Sequence, residues 1–238
     1  MRTNNRTLEQ LRNITFEPNY IDHPEGSCLV RMGKTWVLCT ASIEERVPPF
    51  LMGKDQGWIT AEYSMLPRAT HSRTQREAVK GKQTGRTQEI QRLIGRSLRA
   101  CLDMKKLGER TITIDCDVLQ ADGGTRIASI NGGFVALSLA IQKLIKSKKL
   151  SENPITSTVS AVSVGMKKNE VYVDLDYLED SSCDVDMNVV MLGADRIVEV
   201  QGTGENSTFT FPQMSQMMEQ AKLAANFISD LQKKILQP

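Results

Sequence analysis

Residues 111–145 read TITIDCDVLQADGGTRIASINGGFVALSLAIQKLI, a strand, a turn and a long helix in one run. The segment 111–118 alternates apolar and polar side chains with the period of two expected of a half-buried strand. Downstream, Ile127, Ile130, Phe134, Val135, Leu137, Ile141, Leu144 and Ile145 recur at the spacing of a helix. Between the two elements stand Gly123-Gly124-Thr125-Arg126. The glycines let the backbone turn tightly and approach a ligand with no Cβ in the way. The first N–H groups of the following helix point into the same space, where the helix dipole favours an anion. Thr125 adds a hydroxyl donor and Arg126 a planar fork suited to a pair of phosphate oxygens. The turn reads as a phosphate cradle. An ordinary strand-to-helix loop with an exposed arginine is the competing reading of the turn taken alone.

Working outward, the pattern predicts an α+β chain. A hairpin is expected at 28–31 and 35–42 around Gly33-Lys34, then a strand over 57–63 after the Pro48-Pro49 break. The stretch 67–82 lacks periodicity and reads as a basic loop, followed by a helix over 87–106. The boundary between halves is expected between Lys146 and Pro154, giving pseudo-repeated halves of about 1–150 and 151–238 within one domain. The second half starts again with strands at 159–166, 171–177, 186–192 and 196–201. It closes with a helix whose stripe of Met214, Met217, Met218, Ala221, Ala225, Ile228, Leu231 and Ile235 reads as core or subunit packing.

The composition, 40% hydrophobic and 24% charged, is that of an ordinary soluble chain. No apolar run is read as approaching the roughly 20 residues that span a bilayer, and the first six residues lack the apolar core of a signal peptide. Five cysteines with no C-x-x-C pair suit a reducing cytoplasm better than a disulfide framework or a zinc site. His23 and His71 are the only histidines, which argues against histidine-based nucleophilic catalysis and H-E-x-x-H metal chemistry.

The net charge of +2 hides a split. Residues 68–99 carry nine bases (Arg68, Arg73, Arg76, Lys80, Lys82, Arg86, Arg92, Arg96, Arg99) against two acids, whereas 170–205 carry ten acids against one base, Arg196. A basic block suggests a polyanion and a carboxylate-rich block suggests metal or proton chemistry, so the pair suggests chemistry on a polyanion. The alternative is two solvated faces that attract each other across a subunit contact. On the basic helix, Arg92, Arg96 and Arg99 fall opposite the apolar set Ile90, Leu93, Ile94, Leu98 and Cys101, free to meet a nucleic-acid backbone. Arg86 projects toward the interior side and needs an anion there, either a bound phosphate or Glu89. Asp174 and Asp176 read as solvent-facing strand positions. Asp186 shares a face with Asp184 and Asn188, and Asp180 in the preceding turn could meet Asp186 around one Mg²⁺.

Long motifs resemble the bacterial ribonuclease PH family. They are GWITAEYSMLPRAT at 57–70, GRTQEIQRLIGR at 85–96, DCDVLQADGGTR at 115–126, EDSS at 179–182 with VDMNV at 185–189, and QGTGE at 201–205. The resemblance covers nearly the whole chain in order. It implies a fold of two β-sheet-plus-helix halves and a phosphate-dependent 3′→5′ exoribonuclease that trims tRNA precursors, releases nucleoside diphosphates and can run in reverse. It also implies a hexameric ring built from dimers. Carried over, the phosphate-binding arginine falls on Arg86, the phosphate loop on Gly124, Thr125 and Arg126, and the catalytic, metal-binding acidic pair on Asp180 and Asp186. Two stretches depart: Asn4-Asn5-Arg6 stands where the family usually has Asp-Gly-Arg, and Gly193-Ala194-Asp195-Arg196 replaces a Gly-Ser-Gly-rich turn. Neither touches the cradle or the acidic pair.

Both lines predict in-line attack of inorganic phosphate on the terminal phosphodiester, with Asp186 protonating the leaving oxygen and the basic residues from Arg68 to Arg99 holding RNA. A hydrolytic metal nuclease and a catalytically inactive RNA-binding subunit are the readings from other classes.

Overall fold

The computed structural model describes Arg2 and residues 5–237. The first half forms a five-stranded sheet in the order β1 (Ile14–Pro18), β2 (Gly26–Met32), β3 (Thr35–Glu44), β5 (Thr111–Gln120), β4 (Trp58–Met65). All pairings are antiparallel except β4 with β5. The second half forms a four-stranded antiparallel sheet in the order β7 (Glu170–Val173), β6 (Val159–Lys167), β8 (Val185–Leu192), β9 (Arg196–Gly204). Among the described residues six α-helices complete the fold, beside a short 3₁₀ turn at Pro49–Leu51: α1 (Glu77–Lys80), α2 (Gly85–Arg99), α3 (Met104–Leu107), α4 (Thr125–Lys146), α5 (Tyr177–Asp180) and α6 (Phe211–Leu236).

Helix α4 is the spine of the molecule. It packs on β2 and β3 of the first sheet, on β6 of the second, and on α2 and α6. Apolar residues occur all round it, as a helix buried on every side requires. Its 22 residues are long and apolar enough to cross a bilayer by composition, which corrects the expectation that no such run exists; 83% of its most apolar window is buried within the fold. Asn131 of α4 is fully buried and exchanges two hydrogen bonds with Ala161 of β6, at 2.8 and 2.9 Å. Because β7 covers only 164–167, Asn131 satisfies the stretch of β6 edge that β7 leaves bare. Gln232 of α6 then donates to the carbonyls of Asn131 and Val159, tying the last helix to the same point.

The strands and the two long helices lie where the periodicity predicts, but four local expectations change. Strand β1 carries too short a pattern to stand out in the sequence. The helix expected over 87–106 breaks after Arg99, and a separate turn, α3, begins where Asp103 accepts from the N–H groups of Lys105 and Lys106. The loop 67–82 contains the single turn α1. Strand β7 ends at Val173 because Asp174 adopts φ +55, in the left-handed region.

That last change reverses the reading of two carboxylates. Asp174 and Asp176 are not solvent-facing: they are 0% and 4% exposed. Asp174 pairs with Arg12 at 2.6 Å, and Asp176 caps α5 by accepting from the Glu179 N–H, with Glu179 reaching back to the Asp176 N–H. Of the divergent Asn4-Asn5-Arg6 stretch, Asn4 lies outside the described residues. Asn5 takes φ +57, a left-handed conformation that asparagine tolerates better than most side chains.

Candidate active site

Strand β5 delivers the chain to Gly123 and Gly124, which adopt φ +76 and +67. Only residues without a Cβ take this pair of conformations readily. At Gly123 the reason is also steric: a Cβ would stand 2.6 Å from the Asp176 carbonyl carbon and 2.8 Å from the Leu175 oxygen. The loop therefore packs backbone to backbone against the segment that leads into α5. Gly124 is the N-cap of α4 and provides no side-chain cap, so the first N–H groups of a 22-residue helix are left for an external acceptor.

Around this anion-ready turn stand the other candidates. The Thr125 hydroxyl lies 2.8 Å from the Tyr63 hydroxyl, and burial raises the Tyr63 pKa, keeping it protonated. Arg126 places one nitrogen between Glu89 Oε1 at 3.0 Å and Gln201 Oε1 at 2.9 Å. Its remaining donors have no hydrogen-bond partner among the described residues. Glu89 is thus the partner of Arg126, not of Arg86. Arg86 itself does not face the interior: it is exposed near the start of α2 and makes no hydrogen bond or ion pair with a described residue. Its charge nonetheless acts on both Asp180 and Tyr63.

The acidic pair completes the centre. Asp180 ends α5, and Asp186 lies on β8 among alternating buried Val185, Met187 and Val189. Burial and then the Asp180 charge push the Asp186 carboxyl up to about 6, against the pull of Arg126. Burial also raises Asp180, with Arg86 and Arg126 opposing and Glu205 adding to the rise. One Asp186 oxygen accepts from Asn188 at 3.3 Å; the other, Oδ1, is buried without a partner. An orphaned carboxylate oxygen in a field of like charge fits a proton or a cation. Among the described residues no group of three or more His, Cys, Asp or Glu side chains is arranged to hold a metal alone.

A cavity of about 790 Å³ opens beside this centre, under the basic loop, with Arg86 and Thr87 on one wall and Glu62, Asp115 and Asp117 on another. Arg68, Arg73, Arg76, Lys80 and Lys82 are exposed along this loop, and Arg92 is exposed on α2. Arg96 and Arg99 are less free than their helical positions predict. Arg96 is paired with Glu199 at 2.7 Å. Arg99 lies 4.4 Å over the Trp58 ring and donates to the Ile59 carbonyl at 2.7 Å, so it fastens α2 to β4.

Known proteins show the same arrangement of chain. The family model described as "3′ exoribonuclease family, domain 1" matches residues 10–143, and that described as "3′ exoribonuclease family, domain 2" matches residues 157–224. The chain belongs to the 3′ exoribonuclease family. Relatives in this family include ribonuclease PH of Bacillus pumilus, 58% identical over 236 residues, and of Bacillus subtilis, 56% identical over 237 residues. These alignments cover 99% of this chain and 98% and 97% of the relatives. The fold is also that of the rice (Oryza sativa) Rrp46 crystal structure, at TM-score 0.80 and 18% identity, covering 99% of this chain and 100% of that one. It is likewise that of an Archaeoglobus fulgidus exosome structure with RNA bound to the active site, at TM-score 0.79 and 21% identity, covering 96% and 91%.

Several residues at the site escaped the sequence reading. Tyr63, Gln201 and Glu205 lie within longer motifs but carry no signal of their own. Arg2, Arg6 and Arg12 meet Asp174, Asp176 and Glu179. The available signal was three arginines within the first twelve residues and four carboxylates within 174–180.

Proposed function

We infer that this site performs phosphorolysis of RNA from its 3′ end. The chain is a phosphate-dependent 3′ exoribonuclease acting in tRNA processing, and inorganic phosphate is its co-substrate. The observation that carries the reading is the uncapped start of α4 beside Arg126 and two carboxylates. It is a phosphate cradle facing proton or cation chemistry.

An oxygen of inorganic phosphate attacks the phosphorus of the terminal phosphodiester. The bond from that phosphorus to the 3′-oxygen of the penultimate nucleotide breaks. The product is a nucleoside 5′-diphosphate and an RNA one nucleotide shorter. The N–H groups of the loop, the Thr125 hydroxyl and the free donors of Arg126 orient the attacking phosphate and spread the charge that develops. Exposed and without a hydrogen bond or ion pair to a described residue, Arg86 is available to the same anion. The departing oxygen takes up a proton, and Asp186 is the donor: burial and the Asp180 charge raise its carboxyl to about 6, so it carries a proton far more often than an ordinary carboxyl does. Microscopic reversibility then allows the same groups to add a nucleotide from a diphosphate.

In its ionised form Asp186, with Asp180, also suits a divalent cation such as Mg²⁺, since hard oxygen donors and an orphaned Oδ1 fit it and substrate oxygens would complete its shell. Bound there, it would neutralise charge on the scissile phosphate. The exposed loop 67–82 and Arg92 are the basic surface we assign to RNA. A ring of copies, a hexamer of three dimers, fits the resemblance, and five free, buried cysteines suit a reducing cytoplasm. The two halves, about 1–150 and 151–238, are read as a pseudo-repeat within one domain.

The test is a 3′-tailed tRNA precursor incubated with and without inorganic phosphate. Diphosphate products that require phosphate support the reading. Efficient release of monophosphates in phosphate-free buffer replaces it with hydrolysis.

A further inference from the structure

Against the carbonyls of the phosphate loop lies a buried cation that the reaction itself does not use. Arg12 is 3% exposed in its side chain and locked on Asp174, with Nη2 to Oδ1 at 2.6 Å and Nε to Oδ2 at 3.0 Å. Its backbone N–H donates to the same Oδ2 at 2.7 Å. The other guanidinium nitrogen, Nη1, donates to the carbonyl of Asp122 at 2.6 Å and reaches that of Gly123 at 3.4 Å. Thr35, fully buried at the start of β3, grips the same turn: its hydroxyl donates to the Gly123 carbonyl at 2.6 Å and accepts from the Asp122 N–H at 2.9 Å.

These contacts answer a bookkeeping question about the loop. Strand β5 has ended at Gln120 and α4 begins at Thr125, so the carbonyls of Asp122 and Gly123 belong to neither ladder. Two successive left-handed residues point N–H groups and carbonyls in different directions, and which side faces the site depends on what holds the carbonyls. Arg12 and Thr35 hold them. Asp174, the anchor of Arg12, is itself fixed by its N–H to the Ser163 carbonyl at 2.7 Å and stands six residues before Asp180. Between them, Glu179 is held by Arg2 at 2.8 Å and by Arg6 at 3.0 Å. The guanidinium of Arg12 therefore joins the phosphate loop of the first half to the α5 segment of the second.

We propose that Arg12, assisted by Thr35, is a positioning residue: locked on Asp174, it holds the carbonyls of Asp122 and Gly123 so that the loop N–H groups face the phosphate, in register with Asp180. The proposal rests on the phosphorolytic reading of the site. Arg12 is ion-paired with Asp174 at 2.6 Å and only a minor part of its charge acts on Asp180, so its part at the loop is geometric. Lysine is no substitute, since one ammonium cannot span a bidentate carboxylate and two carbonyls in a plane.

The experiment measures initial rates for wild type, Arg12→Lys and Thr35→Val, first varying phosphate at saturating RNA and then varying RNA at saturating phosphate. Circular dichroism and thermal melting identify the folded variants. In folded variants the KM for phosphate should rise about 10-fold or more, since small displacements of a positioned group carry penalties of that order, while the KM for RNA stays within about twofold. A stabilising role alone would lower the melting temperature and the active fraction and leave the phosphate KM at its wild-type value. That result in folded Arg12→Lys overturns the proposal. If Arg12→Lys does not fold, Thr35→Val decides, because it loosens the same carbonyls without opening the ion pair; an unchanged phosphate KM there overturns it equally. A wild-type enzyme that needs no phosphate would instead overturn the phosphorolytic reading, so the two failures are distinct.

Discussion

Arg126 is held by one nitrogen between Glu89 and Gln201, and its other donors have no hydrogen-bond partner among the described residues. A donor fixed in advance needs no reorganisation when charge develops, and removing one such group costs on the order of 10²–10³ in turnover. Arg126→Ala should therefore lose about 10²-fold or more in kcat with its melting temperature little changed, because its ion-pair partner Glu89 is 42% exposed and such pairs contribute little. Near-wild-type turnover at saturating phosphate would make the turn purely structural. Asp186 presents the opposite balance of stability and function. Its folded pKa of about 6 lies above the ordinary carboxylate value of 3.8. Between these values the folded state binds more protons than the unfolded one, so stability falls as pH rises through that window and the full penalty remains above it. A rise from 3.8 to about 6 corresponds to about 3 kcal/mol as an upper bound. Without metal or phosphate, Asp186→Asn should melt higher than wild type at about pH 8, with the difference closing toward about pH 4. It should also lose phosphorolysis and nucleotide addition together. A lower melting temperature at about pH 8 would show that the buried charge is already compensated.

The basic surface is decided by elements rather than single residues. Loop 67–82 is tied at its base by Glu77, whose Oε1 accepts from the Thr87 hydroxyl at 2.8 Å, while its arginines remain exposed. Contacts from such residues go mostly to phosphates, tolerate any base sequence and weaken with salt. Replacing Arg68, Arg73 and Arg76 by alanine should weaken tRNA-precursor binding and flatten the slope of log affinity against log salt, leaving phosphate KM unchanged. Identical slopes in a salt titration would assign these arginines to subunit contacts or folding. Helix α2 shows how much of this was legible. Its periodicity correctly buries Ile90, Leu93, Ile94 and Leu98, since a helical stripe depends on spacing alone. It fails for Arg99, because a wheel does not know that Trp58 and the Ile59 carbonyl of β4 wait on that side. Arg86 fails for a related reason: at the first turn of a helix no core stands behind the apolar direction.

At the scale of the molecule, the site forms where the halves meet, and only part of that was written locally. The strand, the two glycines and α4 are contiguous in sequence, so the cradle was readable from composition and period. The acidic pair was visible as charge density. The pairing of Arg2, Arg6 and Arg12 with Asp174 and Glu179 spans more than 160 residues and needs the left-handed turn at Asp174, which no periodicity announces. A buried network of this kind adds little net stability, yet removing one partner leaves an uncompensated buried charge. The chemistry of the site depends on inorganic phosphate being the nucleophile. The direct measurement uses phosphate labelled with ¹⁸O, unlabelled water and a 3′-tailed RNA, with the released nucleotides analysed by mass spectrometry. Label in the β-phosphoryl group of nucleoside diphosphates is the predicted result. Nucleoside monophosphates without label, formed at the same rate when phosphate is withheld, would contradict it.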